Sequence, residues 1–265
     1  MNSLELAKNV RKDVLKIITK TKASHVGSAL SVVDILSVLY KDVLKYDVKN
    51  SNWEERDRLI LSKGHAGSAL YSVLCEVGFF DKDMLDTYYS NGSLLSGHIS
   101  DKGVPGVEFS TGSLGHGLSI AVGMALALKL NNSKSKVFVV LGDGECNEGA
   151  VWESIAFAVQ QNLKNLVVIV DRNKIQALGD TKDILDLDLK SIFKAFKTDV
   201  YEVDGHNHKQ LLDVFNRENK NKPKVIIANT IKGKGVSFME NQLLWHYRNP
   251  SEENLEVALK EVEDA

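Results

Sequence analysis

Val137-Phe138-Val139-Val140-Leu141-Gly142-Asp143-Gly144 reads as a buried strand that runs straight into a Gly-Asp-Gly turn. A helical stretch carrying Trp152, Ile155, Ala156 and Val159 follows. A second apolar strand, Leu166-Val167-Val168-Ile169-Val170, then ends at Asp171-Arg172-Asn173. Strand–helix–strand units of this kind build parallel sheets, and the carboxyl ends of neighbouring strands share one rim. Asp143 and Asn173, thirty residues apart in the chain, are therefore expected side by side. One carboxylate, one amide oxygen and nearby backbone carbonyls form a hard-oxygen set suited to magnesium or calcium. The glycines would let a diphosphate approach main-chain N–H groups, and the helix N-terminus beyond adds a favourable field.

Alone, Gly-Asp-Gly would be a turn and its aspartate a helix cap. The flanking strands and the second-strand asparagine are what give it a ligand-binding meaning. No Gly-x-Gly-x-x-Gly follows the first strand, which argues against a dinucleotide site. Outward from this core, Leu4, Ala7, Val10, Val14 and Ile17 predict an amphipathic helix over 3–20, and residues 31–44 repeat the pattern. Residues 58–61 predict a short strand ending at Ser62-Lys63-Gly64-His65, with a helix from 66 to 77. Residues 81–113 are polar and glycine-rich, and a loop of that length in a compact domain is usually functional. A buried helix over 114–130, strands over 199–203 and 224–229, and an acidic helix from Ser251 complete the pattern. The alternation predicts an α/β fold: a mostly parallel sheet flanked by helices on both faces, joined by right-handed crossovers. Three prolines and no low-complexity tract leave no linker, so residues 1–265 are expected to form a single domain.

Composition narrows the function classes. A hydrophobic fraction of 43% and a charged fraction of 26% are ordinary for a globular chain. A formal charge of -2 gives no electrostatic footprint for nucleic acid or an acidic membrane surface. Two cysteines, Cys75 and Cys146, form neither a disulfide framework nor a zinc motif. No apolar run reaches the length of a membrane span and no signal-peptide core is present, so the expected location is cytoplasmic.

Five of the seven histidines stand in polar or glycine-rich contexts. They are His25 (Ser24-His25-Val26-Gly27), His65 (Lys63-Gly64-His65-Ala66), His98 (Ser96-Gly97-His98), His116 (Leu114-Gly115-His116-Gly117) and His246 (Trp245-His246-Tyr247). Each alone would be a capped or solvated side chain, since imidazole readily bonds to backbone. None shows the pair spacing of a zinc motif.

Taken with the metal signature, these segments resemble one family. Thr111-Gly112-Ser113-Leu114-Gly115-His116-Gly117 is similar to the transketolase Thr-Gly-x-Leu-Gly-x-Gly segment. Ser62-Lys63-Gly64-His65-Ala66 and Thr230-Ile231-Lys232-Gly233-Lys234-Gly235 match further family segments, as do Gly142-Asp143-Gly144 and Asp171-Arg172-Asn173. The resemblance spans essentially the whole chain but covers only the family's amino-terminal, thiamine diphosphate-binding half. It looks most like the separate amino-terminal subunit of a split transketolase.

The resemblance implies a set of roles. Asp143, Asn173 and the Ile175 carbonyl would hold Mg2+ or Ca2+. Gly144, Asn173, Lys232 and His65 would meet the diphosphate, while Gly112, Leu114, Glu148 and His246 would complete the cofactor site. His25, His65, His98 and His246 would surround the reacting carbon and exchange protons near neutral pH. Glu148 and Glu153 match acids that link paired active sites through the dimer. Two positions depart from the family: Tyr247-Arg248 replaces a glycine-containing stretch, and Val26 stands where proline is common. Both bear on substrate geometry rather than on the cofactor.

The pyrimidine-binding half, with the carboxylate that the cofactor chemistry needs and the arginines that grip sugar phosphates, is absent from the 265 residues. The expectation is therefore a carboxy-terminal partner subunit in a two-plus-two heterotetramer that transfers a two-carbon ketol unit between sugar phosphates. The competing readings are a subunit of a 2-oxoacid dehydrogenase or decarboxylase, a transketolase-like enzyme making an unusual sugar for a surface polymer or secondary metabolite, and a non-catalytic regulatory subunit.

Overall fold

Five strands form one parallel sheet in a computed structural model that describes residues 1–220 and 222–264. Asn221 and Ala265, the latter the expected end of the domain, lie outside the described residues. The strands are β1 (Arg58–Leu61), β2 (Val137–Gly142), β3 (Leu166–Arg172), β4 (Asp199–Asp204) and β5 (Lys224–Asn229), in spatial order β1-β2-β3-β5-β4. Every neighbouring pair is parallel.

The uninterrupted Val/Ile/Leu runs are buried on both faces because alternate side chains feed two separate cores. Phe138, Val140, Val167, Ile169 and Ile226 point into one, with the helices α1 (Ser3–Thr21), α2 (Val26–Val38) and α3 (Gly67–Glu76). Val137, Val139, Leu141, Val168, Val170 and Ile227 point into the other, against α5 (His116–Leu130) and α6 (Gly149–Gln160). Between α3 and α5 lies the short α4 (Lys82–Leu85).

The remaining helices explain the strand order. After α7 (Thr181–Ile184), α8 (Leu189–Ala195) carries the chain from β3 to β4 over the α5/α6 face. Helix α9 (His208–Asn216) returns from β4 to β5 over the opposite face, where α10 (Glu252–Asp264) also packs. The direction across the sheet reverses at β4 and the covering face changes with it, as a single crossover handedness requires.

Most boundaries fall within a residue or two of expectation, and the differences are local. The helix expected from Ser31 starts at Val26, with His25 as its N-cap in a left-handed conformation (φ 73°). It ends in a wider π turn over Leu39–Val43, closed by Leu44 N donating to Leu39 O (2.8 Å). The 81–113 segment is a folded loop that returns to the rim, with Ile99 N donating to Gly64 O and Thr111 N to Ile99 O. Helices α4, α7, α8 and α9 have no counterpart in the sequence reading. Among the described residues no helix is long and apolar enough to cross a membrane.

Candidate functional site

The carboxyl ends of β1, β2, β3 and β5 bring four segments to one rim. Register pairs Gly142 with Asp171 and Arg172 with Asn229, so Asp143, Asn173 and Lys232 emerge together. Asp143 Oδ1 accepts from Gly144 N (2.9 Å) and Oδ2 from Lys174 N (2.6 Å). Asn173 Oδ1 accepts from Ile175 N (3.1 Å), and the Ile175 carbonyl accepts from Lys232 Nζ (3.1 Å). The expected oxygen donors therefore cluster within one short stretch of loop. Asp143 is buried and, among the described residues, forms no ion pair. Burial, and then the neighbouring Asp171 charge, push its pKa up.

Behind this oxygen set lies a buried charged layer. Lys63 pairs with Asp171 and also donates to Ser28 O (3.1 Å). Ser31 Oγ (2.6 Å) and the Thr230 hydroxyl complete the Asp171 shell. Burial alone would raise the Asp171 pKa, but Lys63 and these hydrogen bonds hold it below the usual carboxylate range. Lys232, fully buried, also contacts His246 Nδ1 (2.7 Å). Burial and then the Lys63 charge bring its pKa down to about 8. Glu145 accepts from Gly115 N (2.8 Å), Gly142 N (3.0 Å) and the Ser62 hydroxyl, tying β1, β2 and α5 together at the rim.

At the other end the four expected histidines converge. The His25 ring centroid lies 5.3 Å from that of His65, 5.8 Å from His98 and 5.1 Å from His246. Local backbone sets this up: His25 N donates to His246 O (2.9 Å), and Gly64 lies so close to Thr111 that a Cβ there would stand 2.6 Å from its carbonyl carbon. Burial and then the neighbouring His98, Lys232 and Lys63 charges lower the His25 pKa to about 4. Burial and then Lys232 lower His246 to about 3, and His65 is likewise driven well down. Burial and positive neighbours thus push these three rings toward the neutral form, which leaves a ring nitrogen free to accept a hydrogen bond or a proton. A cavity of about 380 Å³ joins the two ends, lined by His25, His65, His98 and His246 and by Asp143, Gly144 and Asn173. Gly112, Leu114 and Ile175 also line it.

Other residues singled out in the sequence fall elsewhere. Glu148 borders the cavity but is exposed, as is Glu153. His116 opens α5 facing solvent, outside the histidine group. Lys63, Asp171 and Glu145 stood inside the quoted motifs without a role. Nothing in their spacing shows that Lys63 and Asp171 pair behind the rim or that Glu145 ties β1, β2 and α5 together. His206 and His208 converge instead on Asp34, with His206 Nδ1 2.6 Å and His208 Nε2 3.0 Å from its carboxylate.

The donor set is of the kind that suits a divalent cation. Asp143, Asn173 Oδ1 and the Ile175 carbonyl offer hard oxygens to a cation, and a buried carboxylate without an ion pair lacks the positive charge that such a cation supplies. Among the described residues no three His, Cys, Asp or Glu side chains form a metal-holding group. A cation here would therefore rest on mixed carboxylate, amide and carbonyl oxygens.

Comparison with known proteins agrees with this geometry. The family described as transketolase, thiamine diphosphate binding domain, matches residues 3–260. The chain is similar to an apulose-4-phosphate transketolase subunit of Actinobacillus succinogenes, with 43% identity over 97% of this chain and 95% of that protein. It is also similar to the "6-deoxy-6-sulfo-D-fructose transketolase subunit SqwG" of Clostridium sp. strain MSTE9, with 40% identity over 96% and 94%. Its fold superimposes on the crystal structure of transketolase from Campylobacter jejuni with a TM-score of 0.94 and 32% identity. That match covers 99% of this chain but 43% of the larger one.

Proposed function

The chain belongs to the transketolase family as its amino-terminal, thiamine diphosphate-binding subunit, and from that premise we propose that it supplies half of a magnesium-dependent ketol transferase. In this reading Asp143, Asn173 and the Ile175 carbonyl hold Mg2+, with Gly144, His65 and Lys232 toward the diphosphate and Glu148 at the edge of the cofactor site. Gly112 and Leu114 line the rest of the cofactor. When bound, thiamine diphosphate supplies the carbanion-stabilising chemistry that cleaves and forms carbon–carbon bonds. This chain contributes the surroundings. Lys232 and Lys63 balance negative charge.

His25, His65, His98 and His246 face the donor. Three of them are pushed toward the neutral form, so a ring nitrogen is free to meet a donor hydroxyl; one ring would take its proton as the carbon–carbon bond breaks, becoming imidazolium, and return it to the acceptor oxygen. One observation carries the reading: four imidazoles converge over a cavity whose far end is the Asp143–Asn173–Ile175 oxygen set.

The partner is a separate pyrimidine-binding, carboxy-terminal subunit, in a cytoplasmic two-plus-two assembly. Relatives of matching length that are named as subunits favour this arrangement. The names of the same relatives favour an uncommon sugar donor over a central pentose phosphate role. A 2-oxoacid reaction is disfavoured by the histidine group, which suits a polyhydroxylated substrate.

Reconstitution with the carboxy-terminal subunit, thiamine diphosphate and Mg2+ tests the proposal. Apulose 4-phosphate, 6-deoxy-6-sulfofructose, xylulose 5-phosphate and pyruvate would be compared as donors. Two-carbon transfer to an aldose is expected only with both subunits present. Robust turnover by the lone chain, or reaction with pyruvate alone, overturns it. Asp143→Ala should abolish Mg2+-dependent cofactor binding in calorimetry, and unchanged affinity would remove the metal assignment.

A further inference from the structure

Gln176 follows Ile175 in the loop after β3. A bridge pairs Ile175 with Asp180, and Gln176 N donates to Gly179 O (2.8 Å), so the residue sits in a tight turn. It lies across Gly144. A Cβ on Gly144 would sit 2.8 Å from Gln176 Cγ and 3.0 Å from Cδ, so only glycine admits the amide there. Gln176 lines the same cavity as Asp143, Gly144 and Asn173.

Its Nε2 is buried and, among the described residues, has no hydrogen-bond partner. Asn173, three residues earlier, spends its amide oxygen on Ile175 N, so the two neighbouring amides differ in kind. A buried amide N–H without an acceptor is costly, and folded proteins rarely leave one so unless a ligand completes it.

We propose that Gln176 is a diphosphate-binding residue: its Nε2, sealed off in the ligand-free chain, turns with the amide to donate to a phosphoryl oxygen of the cofactor. This rests on the thiamine diphosphate reading of the site. Gln176 lines the cavity beside Asp143 and Asn173, so an anion held with a cation there would be within the neighbourhood of its amide. The opposite amide orientation would aim Oε1 inward as an extra cation ligand, and the two differ in how they tolerate a carboxylate.

The test compares wild type, Gln176→Leu and Gln176→Glu by calorimetry in Mg2+. The full chain is titrated with inorganic pyrophosphate, and the complex with its partner subunit with thiamine diphosphate. Loss of one hydrogen bond to a charged oxygen should weaken both ligands roughly ten- to a hundred-fold in Gln176→Leu. Gln176→Glu should weaken them further by repulsion. The ligand-free Gln176→Leu chain should melt no lower than wild type, because the amide it lacks was unpartnered.

Affinities within twofold of wild type would overturn the assignment, as would a lower melting temperature of ligand-free Gln176→Leu. Binding by Gln176→Glu as tight as wild type would overturn it in favour of a cation-ligating oxygen. A wild-type protein that binds neither ligand removes the cofactor reading itself, an outcome distinct from failure of Gln176 alone.

Discussion

The two ends of the rim cavity handle burial in opposite ways. At the β2–β3–β5 end charge is kept: Lys63 and Asp171 form a buried pair, and Lys232 lies fully buried beside them. At the histidine end charge is suppressed: His25 and His246 are driven down to about 4 and about 3, so the rings stay neutral. Burial is the first cause of the neutral imidazoles, and the same lysines act at both ends. Their positive field offsets carboxylates on one side and repels protons from imidazoles on the other. Lys232 Nζ, 2.7 Å from His246 Nδ1, joins the two regimes. An anion bound at the first end and a proton exchanged at the second thus draw on one electrostatic layout.

The strongest way to break this contrast is to remove the cation that sustains the charged end. Lys63→Met leaves Asp171 buried and unpaired, which should destabilise the chain by about 3–5 kcal/mol. Chemical denaturation measures this, and the double variant Lys63→Met/Asp171→Leu should recover most of the loss. A single variant as stable as wild type would mean that pairing is not what holds charge there. A smaller effect is expected at the other end. His98→Ala contacts neither lysine, so turnover in the reconstituted enzyme should fall roughly 10²-fold by loss of proton exchange. Cofactor affinity should stay within a few-fold of wild type. An equal loss of affinity would show that the two ends are not separable.

How legible the molecule was follows the same division. Strand ends were readable because uninterrupted Val/Ile/Leu runs stop at glycine or polar residues, and β1 and β5 fall at their expected limits. Helices α7 and α8 were not, since Thr181–Ile184 and Leu189–Ala195 are too short for a helical period to emerge. Helix α9 spans nine residues, and its buried Leu211, Val214 and Phe215 form a face whose spacing is legible once the helix is sought. The convergence of His25, His65, His98 and His246 depends on the folded 81–113 loop returning to Gly64, which no local pattern encodes. Resemblance of motifs, not periodicity, gathered those residues. Lys63 and Asp171 were hidden because a buried ion pair between separate strand ends leaves no spacing to read. Gln176 was hidden because its meaning lies in a missing partner, visible only once the loop is folded.

The smallest expected effect sharpens the contrast through pH. A His25 ring held near pKa 4 in the folded chain, against 6.5 when free, binds its proton first in the unfolded state as pH falls. Its contribution to stability is full above about pH 6.5 and is lost progressively as pH drops toward 4. Asp143 and Glu145, with raised pKa values, act with the opposite sign: they take up protons earlier when folded and so favour the folded chain as pH falls. The net slope mixes both ends, so a variant must isolate one. His25→Asn suits this, because asparagine tolerates the left-handed backbone at φ 73° while removing the titrating ring. With the ring partly open to water, wild type should lose on the order of 1 kcal/mol more than His25→Asn between pH 6.5 and 4. Denaturation midpoints across that range measure the difference, and parallel profiles for the two proteins would mean that the imidazole end is not held neutral by burial.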